Sequence, residues 1–376
     1  MVASRARVAS LQLRDFRNVE ALALEGPEDG FVLIGDNGAG KTNILESVYY
    51  VSLLRSARGA RDVDVVRFGA DGFFVEADVC VREPHTISVG FDLRGRRKRV
   101  RRDGAVIDRL SDALGALPAV MFSPGDVTLV SGPPSARRRF LDIMLALSSR
   151  AYLYALQLYR AALDRRNATI RDAARSTSRG SAAIEAWEPQ LAEHGAVLWR
   201  SRREWVARVA AGFSERCTAI GERGHAELGY QSTLRDPDDD LASALLRALA
   251  SGRAGDLRQG VTRVGPHRDD LGLALDGRDL RTFGSAGQQR TAAIALRTLE
   301  AETLRDACAA APVFLLDDPF AELDAGRAER VLALLHHVGL GQTILAVPRD
   351  TDIPRELTDL QRMRVVGGRV RVEGSA

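Results

Sequence analysis

The chain has 376 residues, a formal net charge of +3 and 45% hydrophobic residues, which is ordinary for a globular protein and suits two domains or one large domain with an inserted lobe. No stretch approaches the roughly 18 uninterrupted apolar residues that cross a bilayer, and the N-terminus leads into an alternating pattern instead of an apolar leader core, so a membrane protein is not expected. Three widely spaced cysteines, Cys80, Cys217 and Cys308, make neither a disulfide framework nor a zinc site, and a reducing cytoplasm is the expected location. Of the 53 basic residues only Lys41 and Lys98 are lysines. That bias is a drift of the whole chain towards arginine, against which a lysine that persists needs a reason.

The first third reads as strands broken by turns. Val8–Leu13 alternates, and Phe31–Ile34 is a short continuous apolar run, the pattern of a strand buried on both faces. Directly after it, Gly35-Asp36-Asn37-Gly38-Ala39-Gly40-Lys41-Thr42 fits G-x-x-x-x-G-K-[ST], and Ile44, Leu45, Val48 and Val51 follow at helical spacing. This strand–loop–helix context is what a phosphate-binding loop requires. Its glycines let successive N–H groups converge on phosphates, and the helix N-terminus adds partial positive charge. Lys41 would reach the β- and γ-phosphates of ATP as a compact charge, and Thr42 would offer its hydroxyl to Mg²⁺. The plain alternative is a glycine-rich turn capping a structural helix.

Further strands are expected at Phe73–Val81 and Ile87–Leu93, with a hairpin at Arg102-Asp103-Gly104. Arg94, Arg96, Arg97, Lys98, Arg99, Arg101 and Arg102 crowd that hairpin. Alternation sends them to both faces, so the segment must be an exposed arm or edge. DNA phosphate contact by Arg96, Arg97, Lys98, Arg99 and Arg101 is the functional reading, and a merely solvated charge run the plain one.

From Ser135 to Arg258 the pattern turns helical, with Leu153, Leu156, Tyr159 and Leu163, then Ile184, Trp187, Leu191 and Leu198, at helical spacing. Ser176–Ser181 separates two of these helices. Arg137-Arg138-Arg139 opens one of them and could face DNA or a domain junction. His267, in Gly265–Asp270, reads as structural, since one histidine does not make a metal site. Strand signals return at Leu271–Leu275, with Asp276-Gly277 as a turn, and at Val313–Leu316 and Thr343–Val347. The expected fold is α/β: a sheet drawing strands from 1–121 and 262–376, with a mainly helical lobe at 122–261 between them.

Two more elements carry chemistry. Ser285-Ala286-Gly287-Gln288-Gln289-Arg290 opens a helix with a hydroxyl and free N–H groups, an anion site or else a plain N-cap. Val313–Leu316 ends in Asp317 and Asp318, suited to the Mg²⁺ shell and to general-base work on water respectively, or to capping the helix that follows.

These three elements, in this order, resemble the ABC-type ATPase head. More specifically, the chain is similar to the RecF family. The matching stretches are Leu13–Asn18, Gly35–Asn43, Phe122–Asp126, Gly132–Asp142, Gly265–Asp270, Ser285–Arg290 and Leu315–Asp324. The resemblance implies that Ser285 and Gly287, with Gln288 beside them, sense the γ-phosphate held by a second copy. It makes Asp317 the Mg²⁺-linked carboxylate and Asp318 the catalytic acid, and it makes Glu322-Leu323-Asp324 a loop that touches the partner. It also implies an ATP-dependent homodimer that clamps DNA, hydrolyses ATP slowly, and works with RecO and RecR to load recombinase at gaps. Three features depart from the family pattern: Leu53–Arg58 follows its basic segment only loosely, Ala321 replaces a serine, and Pro348-Arg349-Asp350 supplies no Thr or His after Val347. Competing readings are a transporter-energising ATPase, a chromosome-organising ATPase, and a dimer that binds ATP without significant hydrolysis. The inserted lobe and Asp318 in place of Glu weigh against the first, and the lack of a long heptad array against the second.

Overall fold

The computed structural model describes residues 4–175, 180–234, 240–321 and 323–373. Glu322 and most of the separator Ser176–Ser181 lie outside these. The chain divides into two compact units, one formed by 1–126 with 294–376, the other by Val127–Ala293.

The first unit holds two six-stranded sheets. One runs in the order Arg369–Val372, Gln361–Val366, Gly30–Ile34, Thr343–Val347, Val313–Asp317, Ala119–Phe122, all parallel except the outermost Arg369–Val372. Gly30–Ile34 and Thr343–Val347 are buried at every position, as parallel strands covered on both faces must be. The other sheet is antiparallel, ordered Val19–Glu25, Arg7–Phe16, Gly72–Cys80, Pro84–Asp92, Arg97–Arg102, Ala105–Val106. The helix Lys41–Leu53 touches strands of both sheets and is buried all along except at Thr42 and Asn43. That explains its apolar residues on every side. Gln342 ties the layers together: its Oε1 accepts from Val8 N at 2.7 Å, and its Nε2 donates to the carbonyls of Val8 and Pro27 at 2.9 and 2.8 Å.

The Asp103-Gly104 turn forms as expected, with φ of 51° and 79°, the left-handed pair that a two-residue hairpin demands. The basic segment Arg97–Arg102 is a paired strand one place in from the sheet edge, not a free arm, and Val100 on it is buried.

The second unit packs the helices Pro134–Ser148, Arg150–Arg175, Glu188–Ile220 and Leu241–Gln259 around a small antiparallel sheet of Ala226–Gln231, Asp270–Leu275 and Arg278–Asp279. Periodicity alone suggests only helix at 135–258, but Ala226, Leu228 and Tyr230 alternate as one face of a strand. Because that strand pairs with Asp270–Leu275, the lobe runs past residue 261 to Ala293. At its other end, Ala119–Phe122 belongs to the parallel sheet, and the lobe begins after it.

Candidate nucleotide site

The loop Gly35–Gly40 leaves the buried strand Gly30–Ile34 and enters the helix Lys41–Leu53. Gly40 has φ 114°, and a Cβ there would lie 3.0 Å from Asn18 Oδ1, so the turn into the helix is closed to other residues. Asn18 braces the loop from the neighbouring sheet. It accepts from Asn43 Nδ2 at 2.8 Å and donates to the Gly38 carbonyl at 3.4 Å. On the opposite side Gly368 N–H donates to the Ala39 carbonyl at 2.8 Å.

Lys41 is buried and donates to the carbonyls of Gly35 and Asp36, the latter at 3.0 Å. Burial lowers its pKa, opposed by the charges of Asp317, Asp318 and Asp36. Its ammonium therefore caps the loop from within, where a phosphate's charge would meet it. Thr42 Oγ1 donates to Asp317 Oδ1 at 2.9 Å across a sequence separation of 275 residues. Burial raises the Asp317 pKa first and the Asp318 charge adds to it, while the Thr42 hydrogen bond opposes. A hydroxyl and a half-desolvated carboxylate side by side are the hard oxygen donors that Mg²⁺ takes, so these two residues fit that ion. Asp318 follows with φ 45°, a conformation that costs a non-glycine residue about 1–3 kcal/mol and tends to be retained where function needs it.

These groups open on a cavity of about 370 Å³, lined by Gly38, Lys41, Thr42, Asp317 and Asp318 together with Arg58. Sequence reasoning does not single out Arg58 as a site residue. Its only hint is its place in the basic segment after the loop helix. Glu46, fully buried, accepts from Arg17 at 3.0 and 3.1 Å and from Ser56 at 2.5 Å. Arg58 lies farther off, 3.7 Å from Glu46, and its side chain is 46% exposed. That leaves the guanidinium free to turn towards an anion in the cavity.

Ser285 and Gln288 form a reciprocal cap on the helix Ala286–Cys308: Ser285 N donates to Gln288 Oε1 at 2.9 Å, and Gln288 N to Ser285 Oγ at 3.3 Å. Ser285 is exposed, as is Phe283 two residues before it. His267 is structural: its Nδ1 meets Tyr159 Oη at 2.6 Å and its Nε2 the Thr262 carbonyl at 3.0 Å. Burial holds its pKa down at about 4. Arg137 is buried and pairs bidentately with Asp270 at 2.7 and 2.8 Å. Lys98 turns inward from its strand onto Asp62 at 2.7 Å and the Leu54 carbonyl at 2.7 Å. Arg96, Arg97, Arg99 and Arg101 are exposed.

No protein-family model matches the chain. Among curated relatives, the "DNA replication and repair protein RecF" of Chlamydia trachomatis serovar A is 37% identical over 342 residues, 89% of this chain and 90% of that one. The protein of that name from Symbiobacterium thermophilum is 37% identical over 335 residues, 87% and 88% of the two chains. Among solved structures, RecF with ATP, described as a recombination mediator protein in the RecFOR pathway, superposes with a TM-score of 0.89 at 26% identity, covering 99% of this chain and 98% of that one. The Smc head domain of Pyrococcus furiosus, at TM-score 0.54 and 18% identity over 98% and 96% of the chains, shares the fold. With an ATPase-head fold, a phosphate loop facing paired carboxylates, and such relatives along nearly its whole length, the chain belongs to the RecF family of DNA replication and repair proteins.

Proposed function

We propose that this chain is an ATP-dependent DNA-binding protein of recombinational repair and replication restart, and that ATP joins two copies into a clamp on DNA. The observation that carries the reading is the hydrogen bond between Thr42 and Asp317, which sets the phosphate loop and the carboxylate strand on one cavity. Gly35, Asp36, Asn37, Gly38, Ala39 and Gly40 wrap the phosphates with backbone N–H groups, Lys41 neutralises them, and Arg58 adds a second cation. Thr42 and Asp317 hold Mg²⁺, which when bound would offset charge on the phosphate oxygens. Asp318 orients and deprotonates the attacking water. Ser285, Gly287 and Gln288 complete the site of the other copy from across the dimer.

In this reading hydrolysis is slow and DNA-stimulated, and it releases the clamp. Partners are gapped or duplex DNA and, by family, RecO and RecR, with recombinase loading as the outcome. The inserted lobe and Asp318 in place of Glu weigh against the transporter reading. A dimer that binds ATP without significant hydrolysis is the second reading, supported by the absence of Thr or His in Pro348-Arg349-Asp350.

Sedimentation and gapped-DNA binding with ATP, with ADP, and for Lys41→Met test this proposal. ATP should drive both dimerisation and DNA binding, and Lys41→Met should lose both. A wild-type chain that dimerises equally with ADP would overturn it.

A further inference from the structure

The antiparallel sheet of the first unit has an outer face that ATP chemistry does not use. Its register places Arg14 beside Phe74, Phe74 beside Gly90, and Gly90 beside Arg99, one cross-strand row spanning four strands. Arg97 and Arg101 flank Arg99 on the same face, two residues to either side, as alternation requires. Gly72 and Gly90 leave the floor of this face low, in a cavity of about 470 Å³ bounded by Phe74, Arg14, Arg97 and Arg99. Phe74 is partly exposed although most of its neighbours on that face are polar or charged, and a Cβ on Gly90 would lie 3.9 Å from its ring.

Charge sharpens the picture. The acids around the cavity are engaged: Asp15 with Arg67 at 2.6 Å, Asp71 with Arg94 at 3.2 Å, and Asp92 with the Gly95 N–H at 2.6 Å. No side-chain hydrogen bond or ion pair joins Arg14, Arg97, Arg99 or Arg101 to any described residue. Three guanidinium groups without a side-chain partner, those of Arg14, Arg97 and Arg99, line the cavity around a partly exposed ring and match a ligand that alternates phosphates with planar bases.

We propose that this groove binds an unpaired nucleic-acid strand, a base stacking on Phe74 while Arg14, Arg97, Arg99 and Arg101 hold its phosphates. The inference rests on the DNA-binding reading above and narrows it. A duplex keeps its bases stacked inside, so it can use the arginines but not the ring. The groove therefore distinguishes the single-stranded part of a gap from its duplex flanks. It also divides the basic run: Arg97, Arg99 and Arg101 serve the strand, while Lys98 faces the interior.

The test is fluorescence anisotropy of the full-length chain with ATP, using a labelled thymidine 30-mer and a blunt duplex of equal length. Phe74→Leu should weaken 30-mer binding at least about five-fold, the lower end for removing one base–aromatic stack, and leave duplex binding unchanged. Phe74→Tyr should restore it. Arg14→Gln with Arg99→Gln should lower the salt slope on the 30-mer by about 1.4, at about 0.7 for each single-strand phosphate left without its cation. Equal losses on both DNAs, or full binding by both variants, would reject the groove while leaving DNA binding intact. A wild-type chain that binds neither DNA would instead reject the underlying reading and the groove with it.

Discussion

Both lysines in this arginine-rich chain occupy positions where a guanidinium fork would not fit the task. Lys41 sits within the phosphate loop, its ammonium on the carbonyls of Gly35 and Asp36. Lys98 sits in sequence among exposed basic neighbours, yet it is an internal fastener. Its Nζ lies between Asp62 and the Leu54 carbonyl, 5.4 Å above the Tyr50 ring, and Tyr50 Oη donates to the same Asp62 at 2.5 Å. Leu54 closes the loop helix with φ 54°, so this lysine secures the far end of the helix whose near end follows the Gly35–Gly40 loop. Lys98→Ala strands a mostly buried carboxylate and a carbonyl, and should cost about 1–3 kcal/mol of stability. Arg97→Ala, on the exposed side of the same strand, should cost under about 0.5 kcal/mol. Urea unfolding of the two variants checks this, and equal midpoints would return Lys98 to the solvated surface.

At the scale of elements, the segment Gly265–Asp270 anchors the lobe. Asp270 holds the buried Arg137, and Asp269 accepts from Tyr230 Oη at 2.7 Å and from Thr233 N at 2.8 Å. The Pro266 carbonyl accepts from the buried Arg202 at 2.7 Å, and Arg202 also donates to Asp142 at 2.7 Å. His267 lies in this cluster, neutral because burial disfavours its charged form, with Arg268, Arg138 and Arg166 adding repulsion. Its folded pKa of about 4 is below the ordinary histidine value of 6.5, so its contribution is present above pH 6.5 and is lost as pH falls towards 4. At pH 5 the unfolded chain gains a proton that the folded one refuses, a loss of about 2 kcal/mol. His267→Gln cannot take that proton. Its stability should fall less than the wild type's between pH 7.5 and pH 5, by about that amount, in chemical denaturation. Parallel pH profiles would show that His267 titrates freely.

Across the whole molecule, what the sequence made legible is what local pattern controls. Thr343–Val347 was readable to the residue because a strand covered on both faces must be apolar throughout. Asp103-Gly104 and Asp276-Gly277 were readable because few other pairs accept two left-handed residues. Ala119–Phe122 was missed because four apolar residues fit a strand or a helix equally well. Ala226–Gln231 alternates but was missed because six residues make a short signal between two long helices. In the nucleotide site, the roles of Asn18 and Arg58 depend on strands and loops that meet only on folding, and no spacing encodes that. The phosphate loop and the Ser285 segment fall in different compact units, and in the proposed clamp they meet between copies. A C2 dimer of this kind has two composite sites, each taking Lys41 from one copy and Ser285 from the other. Lys41→Met and Ser285→Arg should each abolish ATP turnover alone, while Ser285→Arg keeps ATP binding. Mixed in equal amounts with ATP, the two variants would pair as hybrids, each with one site free of both lesions and one carrying both. Turnover should then return, to at most about half of the wild-type value, since one site of two is intact. If both residues served one site within a single copy, every site in the mixture would carry one lesion, and no activity would return.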